Sequence, residues 1–217
     1  MQQLALFDDI VLDVTTEGIK YAGSKLKMIP HILRLAKQVN ARTVLDAFSG
    51  TTRVSQALAK SGYQVMCNDI AVWSEVFGTC YLLNQKKSEE YEALIHHLNS
   101  VRPVDGWFTQ FYGGRPNGGC AIQQDGIKKP WQIHNTRKLD GIRQEIEYLG
   151  LDAVDRAVAL TSLILALDQV DSTLGHFVSY LKDWSPRSYD PLVLKVPAVF
   201  TTPYAHRVFR EDVFDLL

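Results

Sequence analysis

Short apolar runs alternate with longer amphipathic stretches along most of the chain. Residues 43 to 45 are β-branched or apolar and lead into Asp46, which predicts a buried strand, and Gly50 supplies the tight turn after it. The next stretch predicts a helix with Thr51 or Thr52 as its N-cap. The predicted inner face of that helix carries Val54, Ala57, Leu58 and Ser61. A strand, a glycine turn and a helix N-terminus present backbone N–H groups to a nucleotide-like ligand, although every α/β domain contains such turns.

The same patterns extend this unit in both directions. A second strand is predicted over residues 63–68 and a third over residues 208–212, with a helix beginning at Val213. Further helices are predicted over residues 28–39, 72–84, 88–98, 135–148 and 153–170. The predicted inner face of the first is formed by Ile32, Leu35, Ala36 and Val39. This succession predicts an α/β fold in which the apolar helix 153–170 is the buried spine of an insertion.

Three segments lack a regular pattern. Residues 1–17 predict a loosely held leader, and residues 171–190 predict a long loop with one helical turn. Residues 105–134 combine six glycines with five tryptophan, phenylalanine or tyrosine side chains. That segment is too aromatic for a flexible linker and too rich in glycine for regular elements, so we interpret it as an irregular functional loop region.

The composition is that of a soluble protein with one large domain or one domain with an insertion. The chain has 217 residues, of which 46% are hydrophobic and 22% charged, and its longest largely apolar stretch, 158–167, is about half of a membrane span. Its first residues lack the basic start and cleavage site of a secretory signal. Cys67, Cys80 and Cys120 favour reduced thiols in a cytoplasmic protein, and His96 and His97 have no third ligand nearby. We therefore expect neither a membrane span nor a metal site.

Two observations indicate nucleotide and nucleic-acid binding. Asp46 and Asp69 stand 23 residues apart at predicted strand ends, which suits an acidic residue that accepts ribose hydroxyl groups, although Asp69 can equally cap the following helix. The net charge of −1 gives no global attraction to nucleic acid. Residues 126–143, however, hold five lysine or arginine side chains and one aspartate, a local charge of +4. Such a segment is typical of a DNA-contacting surface and equally of a solvated helix face.

Several short motifs follow one another in a fixed order. Lys20-Tyr21-Ala22-Gly23-Ser24-Lys25 precedes Asp46-Ala47-Phe48-Ser49-Gly50 and Asn68-Asp69, and further motifs stand at residues 135–143, 171–176, 184–188 and 210–215. This order resembles that of the Dam-like, alpha-type adenine-specific DNA methyltransferases over nearly the whole chain. The resemblance implies a Rossmann-like fold that uses S-adenosylmethionine (SAM). It further implies a first part of the methyltransferase domain at residues 18–70, a mostly helical target-recognition insertion at residues 71–205, and a return to the domain at residues 206–217.

The resemblance also implies a cofactor site. Tyr21 and Lys25 would flank the methionine part of SAM, and the turn from Asp46 to Gly50 would lie beneath it. Asp69 would accept the ribose hydroxyls, Ile70 would pack on the adenine, and Asp212 would accept from the adenine amino group. The implied site comprises Tyr21, Ala22, Gly23, Ser24, Lys25, Asp46, Ala47, Phe48, Ser49, Gly50, Thr51, Asp69, Ile70, Glu211, Asp212 and Val213. Double-stranded DNA would be held by the insertion, with Lys128, Arg137, Lys182 and Arg187 as phosphate contacts.

One motif of the family is missing, and no catalytic residue is assigned in this chain. The family's catalytic Asp-Pro-Pro-Tyr does not occur in the sequence. The nearest stretch, Thr201-Thr202-Pro203-Tyr204, lacks the carboxylate and precedes the strand that ends at Glu211 and Asp212, so we interpret it as a loop. We expect one half of a split or truncated DNA adenine N6-methyltransferase of a restriction–modification setting, completed by a second polypeptide that carries Asp-Pro-Pro-Tyr and fills the sheet. The alternative is a non-catalytic DNA-binding or regulatory subunit that retains the SAM pocket.

Overall fold

The computed structural model describes residues 14–20, 23–174 and 181–216. Tyr21, Ala22, Gly175 and His176, which belong to two of the motifs above, lie outside the described residues. The α-helices are α1 (Ile29–Gln38), α2 (Arg53–Lys60), α3 (Val72–Leu82), α4 (Glu92–Ser100), α5 (Trp107–Tyr112), α6 (Ile133–Tyr148), α7 (Ala153–Gln169) and α8 (Val213–Leu216). The strands are β1 (Thr43–Asp46), β2 (Gln64–Asn68), β3 (Gly113–Gly114), β4 (Trp131–Gln132) and β5 (Arg207–Phe209). Short 3₁₀ helices cover Leu26–Met28, Ser88–Tyr91, Asn117–Gly119 and Pro186–Tyr189.

The larger sheet has three parallel strands in the order β1-β2-β5. The register of β1 on β2 runs from Thr43 opposite Gln64 to Asp46 opposite Cys67. Because β5 is also parallel to β2, all three strands end at the same edge of the sheet. This mixed α/β arrangement confirms the three predicted strands.

The outer edge of β1 is open, and its burial differs from the prediction. Within the described part of the chain, β1 pairs with β2 alone. Thr43 is exposed, and Val44, Leu45 and Asp46 are only half-buried. The prediction of a buried strand was therefore wrong, because a strand is buried only when neighbours cover both its sides and faces.

Helices α1 and α2 cover the sheet with a continuous apolar layer. Ile29 of α1 and Ala57 and Leu58 of α2 are buried against Val65 and Cys67 of β2. In α1, Ile32 and Ala36 pack against this layer as predicted, together with Leu33. The predicted inner positions Leu35 and Val39 are instead 47% and 74% exposed. The contacting stripe begins at Ile29, so the helix faces the sheet at a slightly different angle than the pattern indicated.

The turn into α2 also differs from the prediction. Thr52 is the N-cap residue, but its backbone is left-handed (φ 57°) and its side chain makes no capping bond. The hydroxyl of Thr52 accepts a hydrogen bond from Gln56 Nε2 instead (3.2 Å). The predicted position of the N-cap is therefore confirmed, but Thr52 makes no capping bond, because its backbone is left-handed and its hydroxyl bonds Gln56.

Residues 15–18 are held by α2 rather than loosely. Three side chains bond their backbone: Lys60 donates to the Thr15 carbonyl (2.8 Å), Arg53 to those of Thr16 and Gly18 (2.6 and 2.7 Å), and Gln56 exchanges two bonds with Glu17 (2.9 and 3.0 Å). The Glu17 carboxylate accepts from Tyr81 on α3 (2.8 Å) and from the Ala198 backbone (2.7 Å). For these residues the prediction of a loosely held leader was wrong, because polar side chains spaced along α2 satisfy an extended backbone.

The remaining helices pack mainly on one another. The predicted helices are confirmed, and Leu139, Ile142 and Ile146 of α6 face the core, with Leu163 and Ala166 of α7 beside them. Helix α7 begins at Asp152, whose carboxylate accepts from two backbone N–H groups of the first turn. The other side of α7 meets α3 through Ala157, Val158, Phe77 and Cys80. No helix among the described residues is long and apolar enough to cross a membrane.

Residues 105–134 are more regular than predicted. They contain the whole of α5 and a two-stranded parallel sheet of β3 and β4. Asp140 of α6 fixes α5, because its carboxylate accepts from the backbone N–H groups of Phe108 (3.1 Å) and Thr109 (2.8 Å). A carboxylate on another helix thus orders a segment whose own sequence predicted irregularity. The described part of residues 171–190 is a loop with one helical turn, and residues 201–204 are also a loop, as predicted.

Candidate cofactor site

Asn68 ties together the ends of all three strands of the larger sheet. Its side-chain amide donates to the carbonyls of Ala47 (3.3 Å) and Glu211 (3.1 Å), and its oxygen accepts from the Glu211 backbone (3.1 Å). Asn68 is 1% exposed, so these bonds are shielded from water. The sequence analysis matched the motif but gave Asn68 no role. An amide at the end of a central strand has the donors and acceptor to serve both neighbours, and that signal could have identified it.

Asp69 connects the second strand end to the glycine turn of the first. One carboxylate oxygen accepts from the Gly50 backbone (2.9 Å) and the other from the Ala71 backbone (3.0 Å). The helix-cap alternative for Asp69 is wrong, because Ala71 is the N-cap residue of α3 and Asp69 bonds the N–H of Ala71 rather than those of the first helical turn. Its other carboxylate oxygen faces the turn after β1. Each oxygen keeps a second lone pair that can accept from a ligand hydroxyl. Gly50 has φ 49°, and a Cβ placed on it would meet nothing within 4 Å, so the turn is open above this residue.

The opening motif lies against the same turn. Lys25 Nζ donates to the carbonyl of Phe48 (3.1 Å). Between the two segments is a small cavity of about 30 Å³. Its lining consists of Gly23, Ser24, Lys25, Ser49, Gly50, Thr51, Arg53 and Val54. The structure therefore brings together the described residues of two predicted motifs, with Arg53 and Val54 of α2 added.

Asp46 faces α2 rather than the open edge. Ser55 Oγ donates to its carboxylate (2.6 Å), and burial raises the pKa of Asp46 while this bond and Lys25 oppose the shift. Burial also raises the pKa of the neighbouring Cys67 thiol to about 11, so that thiol stays protonated. Asp46 thus supports the turn, and the carboxylate that reaches toward the open side is that of Asp69. The sequence analysis did not identify Ser55.

Exposed apolar side chains border this edge of the sheet. Phe48 is 64% exposed, Ile70 74% and Phe214 86%. Phe48 follows β1, Ile70 follows β2, and Phe214 lies in α8 after β5. Asp212 accepts from the Phe214 backbone (3.0 Å), while Glu211 is held through its backbone by Asn68. Val213, which lies between Asp212 and Phe214, is half-buried. The acids and the glycine turn are therefore surrounded by apolar surface that no described residue covers.

The four predicted phosphate contacts have different surroundings. Arg137 forms an ion pair with Asp105 (2.7 Å), and Arg187 donates to the carboxylate and the carbonyl of the buried Asp171. Lys182 is exposed, and Lys128 is half-buried and has a partner of its own. Lys128 and Lys182 lie on neighbouring extended segments, because the Ala121 backbone bonds those of both Lys129 and Lys182. The structure therefore places the two lysines on neighbouring backbone segments, whereas each of the two arginines is bonded to an acidic side chain.

Asp171 joins the opening motif to the loop after α7. Its carboxylate accepts from Lys20 Nζ (2.9 Å) and from Arg187, and it is 4% exposed. Asp168 accepts from the Lys20 backbone (3.2 Å), and burial raises the pKa of Asp168. The sequence analysis gave neither acid a role, because the link joins residues about 150 positions apart. No group of three or more histidine, cysteine or acidic side chains that could hold a metal ion occurs among the described residues.

Three known proteins are similar to this chain over most of its length. The modification methylase StsI of Streptococcus sanguinis is 27% identical over 92% of this chain, which covers 31% of that protein. The modification methylase LlaI of Lactococcus lactis subsp. lactis is 25% identical over 78% of this chain and 28% of its own length. The type II methyltransferase M.NlaIII of Neisseria lactamica is 25% identical over 92% of this chain and 60% of its own length. The chain thus spans between about a third and three fifths of these relatives, and no solved structure matches it.

The family itself follows from a match that covers almost all of the chain. The model of the D12 class of N6 adenine-specific DNA methyltransferases matches residues 21–217. That range contains the glycine turn, the Asn68-Asp69 strand end and the Glu211-Asp212 strand end, which the structure places at one edge of the sheet. The resemblance drawn from the motifs is confirmed, and the chain belongs to the D12 class N6 adenine-specific DNA methyltransferase family.

Proposed function

We propose that this chain is the SAM-binding and DNA-recognising part of a site-specific DNA adenine N6-methyltransferase. The observation that carries the proposal is the network at the carboxyl edge, where Asn68 fixes three strand ends and Asp69 bonds the Gly50 turn. Ligands of α/β sheets bind at this edge, outside the ends of the parallel strands. The β1-β2-β5 order supports a Rossmann-like methyltransferase sheet, with residues 18–70 and 206–217 forming the sheet part and residues 71–205 the inserted target-recognition part.

The residues of the edge fit a nucleoside-containing cofactor. Asp69 offers free lone pairs for ribose hydroxyls, and the open space above Gly50 lets a ligand approach the backbone. Ile70 and Phe48 expose the apolar area that a purine ring needs for packing. The cavity beside Lys25 is far smaller than the roughly 300 Å³ of a preformed ligand pocket. We therefore place SAM across the open edge, with only its methionine end near the cavity.

Bound SAM would supply the electrophilic methyl group, and the residues of this chain would bind and orient it. Lys25 would face the methionine carboxylate, Asp69 the ribose and Asp212 the adenine amino group. The buried pair of Asp46 and Ser55 would keep the turn in place from below. None of these groups is assigned a proton transfer.

The carboxylate that accepts from the target adenine is proposed to come from outside this sequence. The open edge of β1 supports this, because a strand with exposed N–H and C=O groups and half-buried Val44 and Leu45 accepts a further strand. We propose that the strand carrying Asp-Pro-Pro-Tyr, on a second polypeptide, pairs with this edge of β1. The protein would act on double-stranded DNA in the cytoplasm, in a restriction–modification system.

Calorimetric titration with SAM tests the cofactor site first. We expect the chain to bind SAM and Asp69→Ala to weaken binding by at least about 10-fold, since a charge-assisted hydrogen bond contributes roughly 1.5–3 kcal/mol. Asp125→Ala is the matched control, because Asp125 is an exposed acid whose carboxylate accepts from the Ile127 backbone in a turn of the insertion, away from the sheet edge. Equal affinities for the two variants would reject this cofactor site.

Transfer of labelled methyl groups to mixed-sequence DNA tests the division of labour. We expect no transfer by this chain alone and transfer to adenine once the Asp-Pro-Pro-Tyr polypeptide is added. Transfer by the chain alone would reject the half-enzyme. The second candidate is a non-catalytic DNA-binding or regulatory subunit that retains the SAM pocket. In that case SAM and DNA binding would persist, and no added polypeptide would produce transfer.

A further inference from the structure

Two aromatic side chains project from α5 with much of their surface exposed. Trp107 is 58% exposed and Phe111, one turn later, is 49% exposed. Their ring centroids are 5.2 Å apart, and the ring planes are inclined at 46°. We call this pair the aromatic platform. Leaving two large rings in water forgoes burial that stabilises most proteins, so such a patch is typical of a binding surface.

The aromatic platform is rigidly supported from behind. Phe108 lies 4.8 Å from Tyr112 and 5.3 Å from Trp131 between ring centroids, and Trp107 lies 5.7 Å from Tyr112. Asp140 fixes the first turn of α5 through the backbone of Phe108 and Thr109.

Two glycines allow α5 to approach α6 this closely. A Cβ on Gly106 would lie 2.6 Å from Asp140 Cγ, and one on Gly113 would lie 2.5 Å from Thr136 Oγ1, and both of these partners are on α6. Rings presented on a fixed helix lose little conformational freedom when a ligand stacks on them.

The surroundings of the platform are basic. Lys129 Nζ donates to the Phe111 carbonyl at 2.7 Å, which places its ammonium group at the end of α5. Residues 105–143 hold six lysine or arginine side chains and three aspartates, of which Asp105 pairs with Arg137 and Asp140 bonds the backbone of α5, so the segment keeps a net positive charge. A cationic surface with exposed aromatic rings has the chemistry of nucleic-acid binding, because the cations attract phosphates and the rings stack on bases.

A short series of contacts connects the platform to the cofactor motif. Trp131, which packs behind the platform, follows Pro130, whose carbonyl accepts from the Ser172 backbone (2.8 Å). The residue before Ser172 is Asp171, which bonds Lys20. The platform and the opening motif are therefore joined through the loop after α7. This link fits a surface that binds the same substrate molecule as the cofactor site serves.

We propose that Trp107 and Phe111 form a stacking platform for a base of the DNA substrate. This inference rests on the proposed function and adds to it the surface that contacts unpaired or unstacked bases. An enzyme that modifies a base must take it out of the helical stack, and aromatic side chains stabilise the bases that are left without a stacking neighbour. Lys129 beside the platform contributes a phosphate contact, and the rings contribute stacking that does not depend on charge.

The test is DNA binding by the full chain, measured by fluorescence anisotropy with a labelled mixed-sequence duplex over a series of salt concentrations. We expect Trp107→Ala and Phe111→Ala each to weaken binding by about 10-fold, whereas Trp107→Tyr keeps most of the affinity. The slope of log affinity against log salt should stay unchanged, because that slope counts phosphate contacts. Tyr148→Ala is the matched control, since Tyr148 is 85% exposed at the far end of α6 and should not affect binding.

The outcomes separate this inference from the proposed function. If the unsubstituted chain binds DNA and both alanine variants bind it equally well, the platform is rejected and DNA recognition stands. If the unsubstituted chain binds no DNA, the platform and the DNA part of the proposed function both fail, while SAM titration still tests the cofactor site. If Trp107→Ala alters only the oligomeric state in sedimentation, the surface is a protein interface and the inference is wrong. Thermal melting identifies a variant that fails to fold, and Phe111→Ala or Trp107→Tyr then decides.

Discussion

The helical part of this protein (residues 71–205) and its sheet part (residues 18–70 and 206–217) differ in how completely their apolar surface is covered. In the helical part, Leu98, Ile142 and Val158 have no exposed surface, and neighbouring helices cover one another's apolar faces. In the sheet part, β1 is open along one edge. Phe48 and Ile70, which border the strand ends, are more than 60% exposed. The core of the helical part is therefore covered by its own helices, with the platform of Trp107 and Phe111 left exposed, whereas in the sheet part the strand ends themselves border exposed apolar side chains.

The difference shows where stability and binding are located. Exposed apolar residues are scattered on most proteins, but here they border a network of Asn68, Asp69 and the Gly50 turn. Under the proposed function, the buried amide of Asn68 and the free lone pairs of Asp69 position SAM and add little to the hydrophobic core. Substitutions in the core of the helical part should therefore change the free energy of unfolding, and substitutions at the sheet edge should change SAM binding.

The largest expected effect is on the helical core. Leu163→Ala should lower the free energy of unfolding by about 3 kcal/mol. Leu163 of α7 is 3% exposed in the core that α7 shares with α6, and shortening it leaves a cavity there. The matched control is Leu35→Ala on α1, where the leucine is 47% exposed and the change should stay within about 0.5 kcal/mol. Urea unfolding of both variants measures the difference. If both variants lost the same free energy of unfolding, Leu35 would be covered in solution, and the contrast between the helical core and the exposed face of α1 would be wrong.

A smaller loss of stability and a large loss of binding are expected at the sheet edge. Asn68→Ala leaves the Glu211 N–H and two carbonyls without their partner and should cost about 2 kcal/mol. It should also weaken SAM binding, because the turn after β1 and the end of β5 are no longer fixed together. Calorimetry and urea unfolding report the two effects separately. If SAM affinity were unchanged while stability fell, the amide would be purely structural.

Local patterns were sufficient for the elements outside residues 105–134 and for the positions of the acids. The strands ending at Asp46 and Asn68 and the helices over residues 135–148 and 153–170 appeared because apolar spacing and breakers are encoded within each segment. Asp69 and Gly50 meet because parallel strands end at one edge, which topology alone predicts. The family's motifs were found for the same reason, since they are short and lie at these ends.

Long-range polar contacts could not be predicted. Asp140 orders α5 from another helix, and side chains of α2 hold residues 15–18, contacts that no local pattern encodes. The two arginines predicted as phosphate contacts are bonded to Asp105 and Asp171 for the same reason. The open edge of β1 was expected from the family resemblance alone, because an apolar run does not show whether a strand has one neighbour or two.

Glu17, which connects α2 of the sheet part with α3, should show an intermediate loss of stability when it is replaced. Glu17→Ala removes the acceptor of the buried Tyr81 hydroxyl and of the Ala198 N–H, and should cost about 1–2 kcal/mol. Glu17→Gln keeps one oxygen and should cost less. Hydrogen exchange should show that Glu17→Ala speeds exchange of α2 and α3 amides more than those of α6. Uniform acceleration would mean that the two parts unfold as one unit.

The smallest expected effect is a pH dependence of stability from His206. This histidine is 8% exposed, its Nδ1 accepts from the Val65 backbone (3.0 Å), and its Nε2 lies 2.6 Å from the Thr202 hydroxyl. Burial lowers the pKa of His206, so the folded state binds this proton less readily than the unfolded state. Its contribution is therefore complete above the ordinary histidine pKa of about 6.5 and is lost as the pH falls through the lower folded value. Urea unfolding between neutral and mildly acidic pH measures how far the free energy of unfolding declines. The decline should be smaller for His206→Gln than for the unsubstituted chain. His96→Gln, at an exposed position on α4, is the control and should leave the decline unchanged. An identical decline in all three proteins would show that the acid sensitivity does not come from His206.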